Sequence, residues 1–190
     1  MRLILHHEQS FELSHSIVAI GAFDGVHKGH QYVISQAVKK SQSIGVPSVV
    51  FTFDPPPRHY FQGAKMLTTI AEKLNRIKKL GVDHVIVAKF NDDFLLRTSE
   101  QFIKDLKKYN PVEIHVGKDF RFGLNRKGDV DLLNKFFSVR TARPVCCDKG
   151  TIISSTRIRK LVEQGKNNEA NKLLGLHFSF QRLTLNTPSR

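Results

Sequence analysis

Short apolar runs and amphipathic stretches alternate along most of the chain. Residues 17–20, 48–53, 84–87 and 112–116 are brief, nearly continuous and rich in Val and Ile, the pattern of strands covered on both faces. Between them the apolar positions switch to helical spacing. Residues 30–44 place Ile34, Ala37, Val38 and Ser41 on one side, and Gly45 and Pro47 stop the run. Thr69 and Glu72 have the spacing of a capping box, followed by Ile70, Leu74 and Ile77 and stopped by Gly81. Residues 99–108 turn Phe102, Ile103 and Leu106 inward, 129–137 and 155–164 predict two more helices, and a short one follows at 169–174. This alternation predicts an α/β fold: a Rossmann-like, doubly wound parallel sheet of about five strands with helices on both faces. Ligands of such sheets sit outside the carboxyl ends of the strands. Two loops fall there, 54–58 with three consecutive prolines and 117–128 with Gly, Arg and Phe. Residues 177–190 show no period and are expected to form a tail.

A chain of 190 residues is enough for one domain with its own core. It holds no apolar run of about 18 residues. Its first ten residues contain two histidines and a glutamate where a signal peptide needs an apolar core. Cys146 and Cys147 are adjacent and too few for a secreted disulfide scaffold. The expectation is a cytoplasmic protein that does not enter membranes. The formal net charge of +13 favours anionic partners such as nucleotides or nucleic acid. The cations are spread, as in 73–79 and 157–166, and solvated helix faces account for them equally well.

Two segments carry chemistry. In Ile20-Gly21-Ala22-Phe23-Asp24-Gly25-Val26-His27-Lys28-Gly29-His30 a buried strand runs into a glycine-bearing turn, and two histidines open a helix. Gly21 and Gly25 permit a tight turn and close approach to a ligand. The helix start offers unpaired N–H groups and partial positive charge to a phosphate. His27 and His30, three apart, share one face, and Gly29 leaves room for a nucleotide. The same pair could hold zinc, although Gly29 and the lack of a matched Cys or Asp cluster speak against it. In Ile153-Ser154-Ser155-Thr156-Arg157-Ile158-Arg159 three hydroxyls begin a helix and Arg159 can fork onto phosphate oxygens; a capped surface helix would look the same. No P-loop motif occurs.

The first segment matches the HxGH signature, and the second the ISSTxxR signature, of the nucleotidylyltransferase superfamily. With Thr52-Phe53-Asp54-Pro55 and Val116-Gly117-Lys118-Asp119-Phe120-Arg121-Phe122-Gly123, the series over 15–176 resembles the bacterial FAD synthetase family, in its N-terminal half. The resemblance implies an FMN adenylyltransferase domain over 1–176 followed by the 177–190 tail, without the family's riboflavin kinase domain. It implies transfer of AMP from ATP to FMN, releasing pyrophosphate, with Mg²⁺ carried mainly on the ATP phosphates and no protein metal ligands. His27, His30 and Arg159 would be catalytic. Gly21, Ala22, Phe23, Asp24, Gly29, Ser154, Ser155 and Thr156 would bind ATP. Phe53, Asp54, Asp119, Phe120, Phe122 and Arg126 would bind FMN. The family commonly has Pro-His-Pro after this aspartate; here the middle position is Pro56, so the flavin-side loop lacks a polar group. An adenylyl- or cytidylyltransferase for another phosphorylated acceptor, or a flavin- or nucleotide-binding module without catalysis, are the alternatives. Partners are small molecules, and nucleic acid is not expected.

Overall fold

Consecutive apolar residues can all be buried only if they point alternately to two covered faces, which is what a central parallel strand provides. The computed structural model describes residues 1–5 and 11–175, so the expected tail at 177–190 lies outside the described residues. The strands are β1 (Arg2–Leu5), β2 (Ser16–Ile20), β3 (Ser48–Asp54), β4 (His84–Lys89), β5 (Pro111–Gly117) and β6 (Val139–Ala142). They form one sheet in the order β1-β4-β3-β2-β5-β6, with every neighbouring pair parallel. The expectation was about five strands, and six are present. β1 and β6 are edge strands of four residues each; β1 has only the short run Leu3-Ile4-Leu5, and β6 is half exposed and interrupted by Arg140 and Thr141.

The helices are α1 (Lys28–Ile44), α2 (Pro57–Gln62), α3 (Ile70–Lys78), α4 (Asp92–Leu95), α5 (Ser99–Lys107), α6 (Val130–Asn134), α7 (Ser155–Glu163) and α8 (Asn167–Leu174). α2 occupies the end of the expected proline loop. Pro57 takes its first position, where a missing N–H costs nothing. Strand alternation divides the core. Val18, Ile20, Val49, Phe51 and Ile114 face α5 and α6 through Phe102, Leu106 and Leu133. Ile17, Ala19, Val50 and Val85 face α1 and α3 through Ile34, Ala37 and Ile77. Phe51, fully buried and edge-on to Phe53 and Phe102, is the kind of side chain whose truncation to Ala costs roughly 3–5 kcal/mol.

A third apolar cluster, including Leu67, Ile153, Ile158 and Leu174, seats α7 and α8. Gln31 Nε2 donates to Val26 O and Leu174 O, both at 2.8 Å, and so ties α8 to the start of α1. The chain runs outward from β2 through β3 to β4, then returns to place β5 on the other side of β2. The crevice created by that reversal opens at the carboxyl end of β2, where Gly21 begins the first chemical segment.

Candidate active site

Beyond β2 the backbone is forced into a shape that few residues adopt. Gly21 N donates to Phe51 O at 3.1 Å, and a Cβ on Gly21 would stand 2.8 Å from the Phe23 ring. Phe23, Gly25 and Val26 all have positive φ, 46°, 80° and 43°. For Phe and Val such a conformation costs roughly 1–3 kcal/mol each and persists only where the surroundings over-determine it. They do so here. Leu67 N donates to Asp24 Oδ1 at 3.0 Å and Gly25 N to Thr68 Oγ1 at 3.2 Å. The Arg76 guanidinium donates to Gly25 O. From the far end of the chain, Ser155 Oγ donates to Asp24 O at 3.1 Å and Arg159 pairs with the Asp24 carboxylate.

The strained turn delivers two imidazoles. His27 caps α1, its Nδ1 accepting from His30 N at 3.3 Å. A neutral His27 ring therefore carries its proton on Nε2. The rings of His27 and His30 stack with centroids 3.6 Å apart and 19° between planes, and Phe23 meets His30 edge-on at 5.4 Å. Burial pushes His27 down to about 4, with the Arg159 charge acting in the same direction. Burial, then His27, then Lys73 hold His30 well below the usual imidazole range. Both rings are neutral at pH 7, each with a single N–H to offer. His30 Nδ1 is buried without a hydrogen-bond partner. Gly29 has a different use from the one expected: a Cβ there would stand 3.1 Å from the His27 ring, so the space it saves is the space the imidazole occupies.

The second segment meets the first, as a shared ligand requires. Ser154 caps α7 by accepting from Arg157 N at 3.3 Å. Ser155 is bonded to Asp24 O, and Thr156 Oγ1 accepts from Arg58 of α2. Arg159 is buried; its Nε donates to Lys65 O at 2.7 Å, and its Nη1 is buried with no partner. Asp24 and Phe23, expected to line the nucleotide cleft, are 3% and 2% exposed. Asp24 is the joint between the segments, and Phe23 is packing beneath His30. Ala22 is partly exposed, and its carbonyl accepts from Thr52 Oγ1 at 3.1 Å.

Among the residues expected to bind FMN the structure separates core from surface. Phe53 and Phe122 are buried and linked through Phe94 and Phe102 at centroid distances of 5.6, 6.4 and 5.2 Å. They are floor rather than open platform. Phe120 stacks on Phe122 at 5.6 Å and 23° and stays partly exposed, as does Asp54 at the end of β3; Asp119 and Arg126 are exposed.

Two site residues escaped sequence reading. Lys73 and Arg76, which lie in the basic stretch 73–79 that a solvated helix face or an anionic partner would explain equally well, are 1% and 6% exposed. Lys73 Nζ donates to Phe53 O at 2.8 Å. The available signal was position: Lys73 falls between Ile70 and Leu74, on the apolar side of α3. Among the described residues no group of three or more His, Cys, Asp or Glu is placed to hold a metal ion, and no helix is long and apolar enough to cross a membrane.

The model of a family described as FAD synthetase matches residues 9–157. A putative bifunctional riboflavin kinase/FMN adenylyltransferase of Geobacillus thermodenitrificans is 53% identical over 167 residues, 88% of this chain and 93% of that protein. The bifunctional riboflavin kinase/FMN adenylyltransferase of Escherichia coli is 35% identical over 173 residues, 86% of this chain but 55% of the other. The chain thus spans nearly all of the first relative and about half of the second. Among solved structures, one titled macrolide-efflux protein from Streptococcus pneumoniae superposes with a TM-score of 0.82 at 32% identity, covering 93% of this chain and 71% of that one. Pantothenate synthetase of Thermus thermophilus, with a TM-score of 0.55 at 15% identity over 92% of this chain and 81% of that one, shares the fold.

Proposed function

The chain belongs to the FAD synthetase family, and from that premise we propose that its α/β unit transfers the adenylyl group of ATP to the phosphate of FMN, giving FAD and pyrophosphate. The observation that carries this reading is the joint at Asp24, where the turn leading to the stacked histidines and the serine-threonine-arginine helix start are bonded together. One triphosphate can then touch both. An FMN phosphate oxygen attacks the ATP α-phosphorus in line, the bond to the β-phosphate oxygen breaks, and pyrophosphate leaves. No protein nucleophile is needed, so catalysis consists of positioning and electrostatic stabilisation.

The roles follow from what each group can still donate. His27 offers Nε2–H and His30 its single N–H to the α-phosphate, beside the N-terminus of the long helix α1. Arg159 Nη1 and the start of α7 face the β- and γ-phosphates, with Ser155 and Thr156 free to exchange their protein partners for phosphate oxygens. Asp24 fixes Arg159 rather than touching ATP. FMN lies across the carboxyl end of β3 and the 117–128 loop, with Phe120, Asp119, Asp54 and Arg126 in contact and Phe53 and Phe122 beneath. Mg²⁺ would be held mainly by the ATP phosphates rather than by side chains, and would supply neutralisation of their charge. Cys146 and Cys147 are free thiols, which fits a cytoplasmic setting.

Incubation with FMN, ATP and Mg²⁺, followed by chromatography, should yield FAD; absence of FAD sinks the proposal. Adenylylation of a different phosphorylated acceptor would point to another transferase, and ligand binding without product to a binding module. His30→Ala should lower kcat about 10²–10³-fold with the fold intact.

A further inference from the structure

Lys73 is among the largest fully buried side chains of the protein, and the roles above leave it unused. Removing an ammonium from water is costly unless opposite charge and hydrogen bonds replace the solvent. Here Nζ donates to Phe53 O at 2.8 Å; burial lowers its pKa below the usual lysine value, and the carboxylates of Asp24 and then Asp54 act against that to favour the ammonium. A single carbonyl could be satisfied by a neutral donor. What a lysine adds is charge, and its place gives that charge a use. Phe53 and Asp54 end β3 on the acceptor side, Asp24 is the joint of the phosphate side, and His30 lies near enough to feel the ammonium. One turn further along α3, Arg76 holds Gly25 O, so the turn itself already has a cationic clasp from the same helix.

We propose that Lys73 is a positioning residue for adenylyl transfer, whose buried ammonium ties the acceptor end of β3 to the histidine-bearing turn and sets a fixed positive charge beneath the α-phosphate site. This rests on the function proposed above. Negative charge shifts over the phosphoryl oxygens during displacement, and a charge already in place stabilises it without reorganisation. Burial and then His27 hold His30 uncharged, and the ammonium adds to them. The charged groups that act on the imidazole pair are Lys73 from α3 and Arg159 from α7, while Asp24 from the turn pairs with Arg159 and, with Asp54 at the end of β3, acts on Lys73.

The test compares wild type with Lys73→Met, which keeps length and removes charge. Expected are a fall in kcat of tenfold or more, an ATP KM within about threefold, and an NMR-detected His30 titration moved to higher pH. A role confined to packing would lower stability and leave the His30 titration where it was; that result, or an unchanged kcat, overturns the proposal. Should Lys73→Met not fold, the wild-type protein is read directly: α,β-methylene-ATP should shift the Lys73 ¹⁵Nζ resonance, and an unmoved resonance overturns the proposal equally. FAD formation by wild type separates the two ideas. Without it the function falls; with it, and with an unaffected variant, only the role of Lys73 falls.

Discussion

Gly29 and His27 show how one side chain's absence makes another's position. An alanine at 29 would gain about 0.5–1 kcal/mol of helix propensity, yet its Cβ would press on the His27 imidazole from 3.1 Å. Gly29→Ala should therefore leave the melting temperature nearly unchanged or slightly raised while kcat drops at least tenfold; a fully active variant would remove the stacked pair from the mechanism. His27 also predicts a pH dependence. Its folded pKa, about 4, lies below the ordinary 6.5, so the unfolded chain binds more protons between those values. The stability it contributes is complete above pH 6.5 and is lost as pH falls toward 4, to the extent of about 3 kcal/mol. His27→Asn keeps a capping acceptor and removes the titration. Urea midpoints measured from pH 7 to pH 4 should fall less steeply in that variant, and parallel slopes would refute the assignment.

α3 carries more of the site than its length suggests. Its capping box is complete, Glu72 N donating to Thr69 Oγ1 at 3.2 Å and Thr69 N to Glu72 Oε2 at 2.9 Å. Thr69→Ala should cost about 1 kcal/mol in chemical denaturation, and because α3 supports the turn through Lys73 and Arg76, activity should fall with it; a stable variant with normal activity would separate helix from turn. This helix also marks the limit of sequence reading. Thr69, Glu72 and the Ile70-Leu74-Ile77 stripe announced where it begins and which side is apolar. They did not announce that two cations lie inward, since a buried ammonium depends on partners such as Phe53 O that only the folded chain brings near. α2 was hidden for a related reason: three prolines read as a loop until Pro57 is seen at a helix start, where its ring fits. Ser155 and Arg159 stand out in the sequence at a helix start, but their bonds to Asp24 cross 131 and 135 residues and leave no local trace.

For the molecule as a whole, inner strands announced themselves and edges did not, because β1 and β6 are only four residues long and β6 is half exposed. The order β1-β4-β3-β2-β5-β6 puts the chain reversal beside β2 and so brings its carboxyl end, the 21–30 turn and the α7 start to one crevice. The formal charge of +13 is partly interior: Lys73, Arg76 and Arg159 are buried around that crevice and are spent on the turn and the joint rather than on the outer surface. Such a crevice, ringed by cations and holding two uncharged imidazoles, refuses protons while it is empty. A triphosphate entering it reverses that preference. Adding ATP should raise the pH at which the His27 and His30 ring resonances titrate by NMR, and resonances that titrate as before would mean the nucleotide stops short of the histidines.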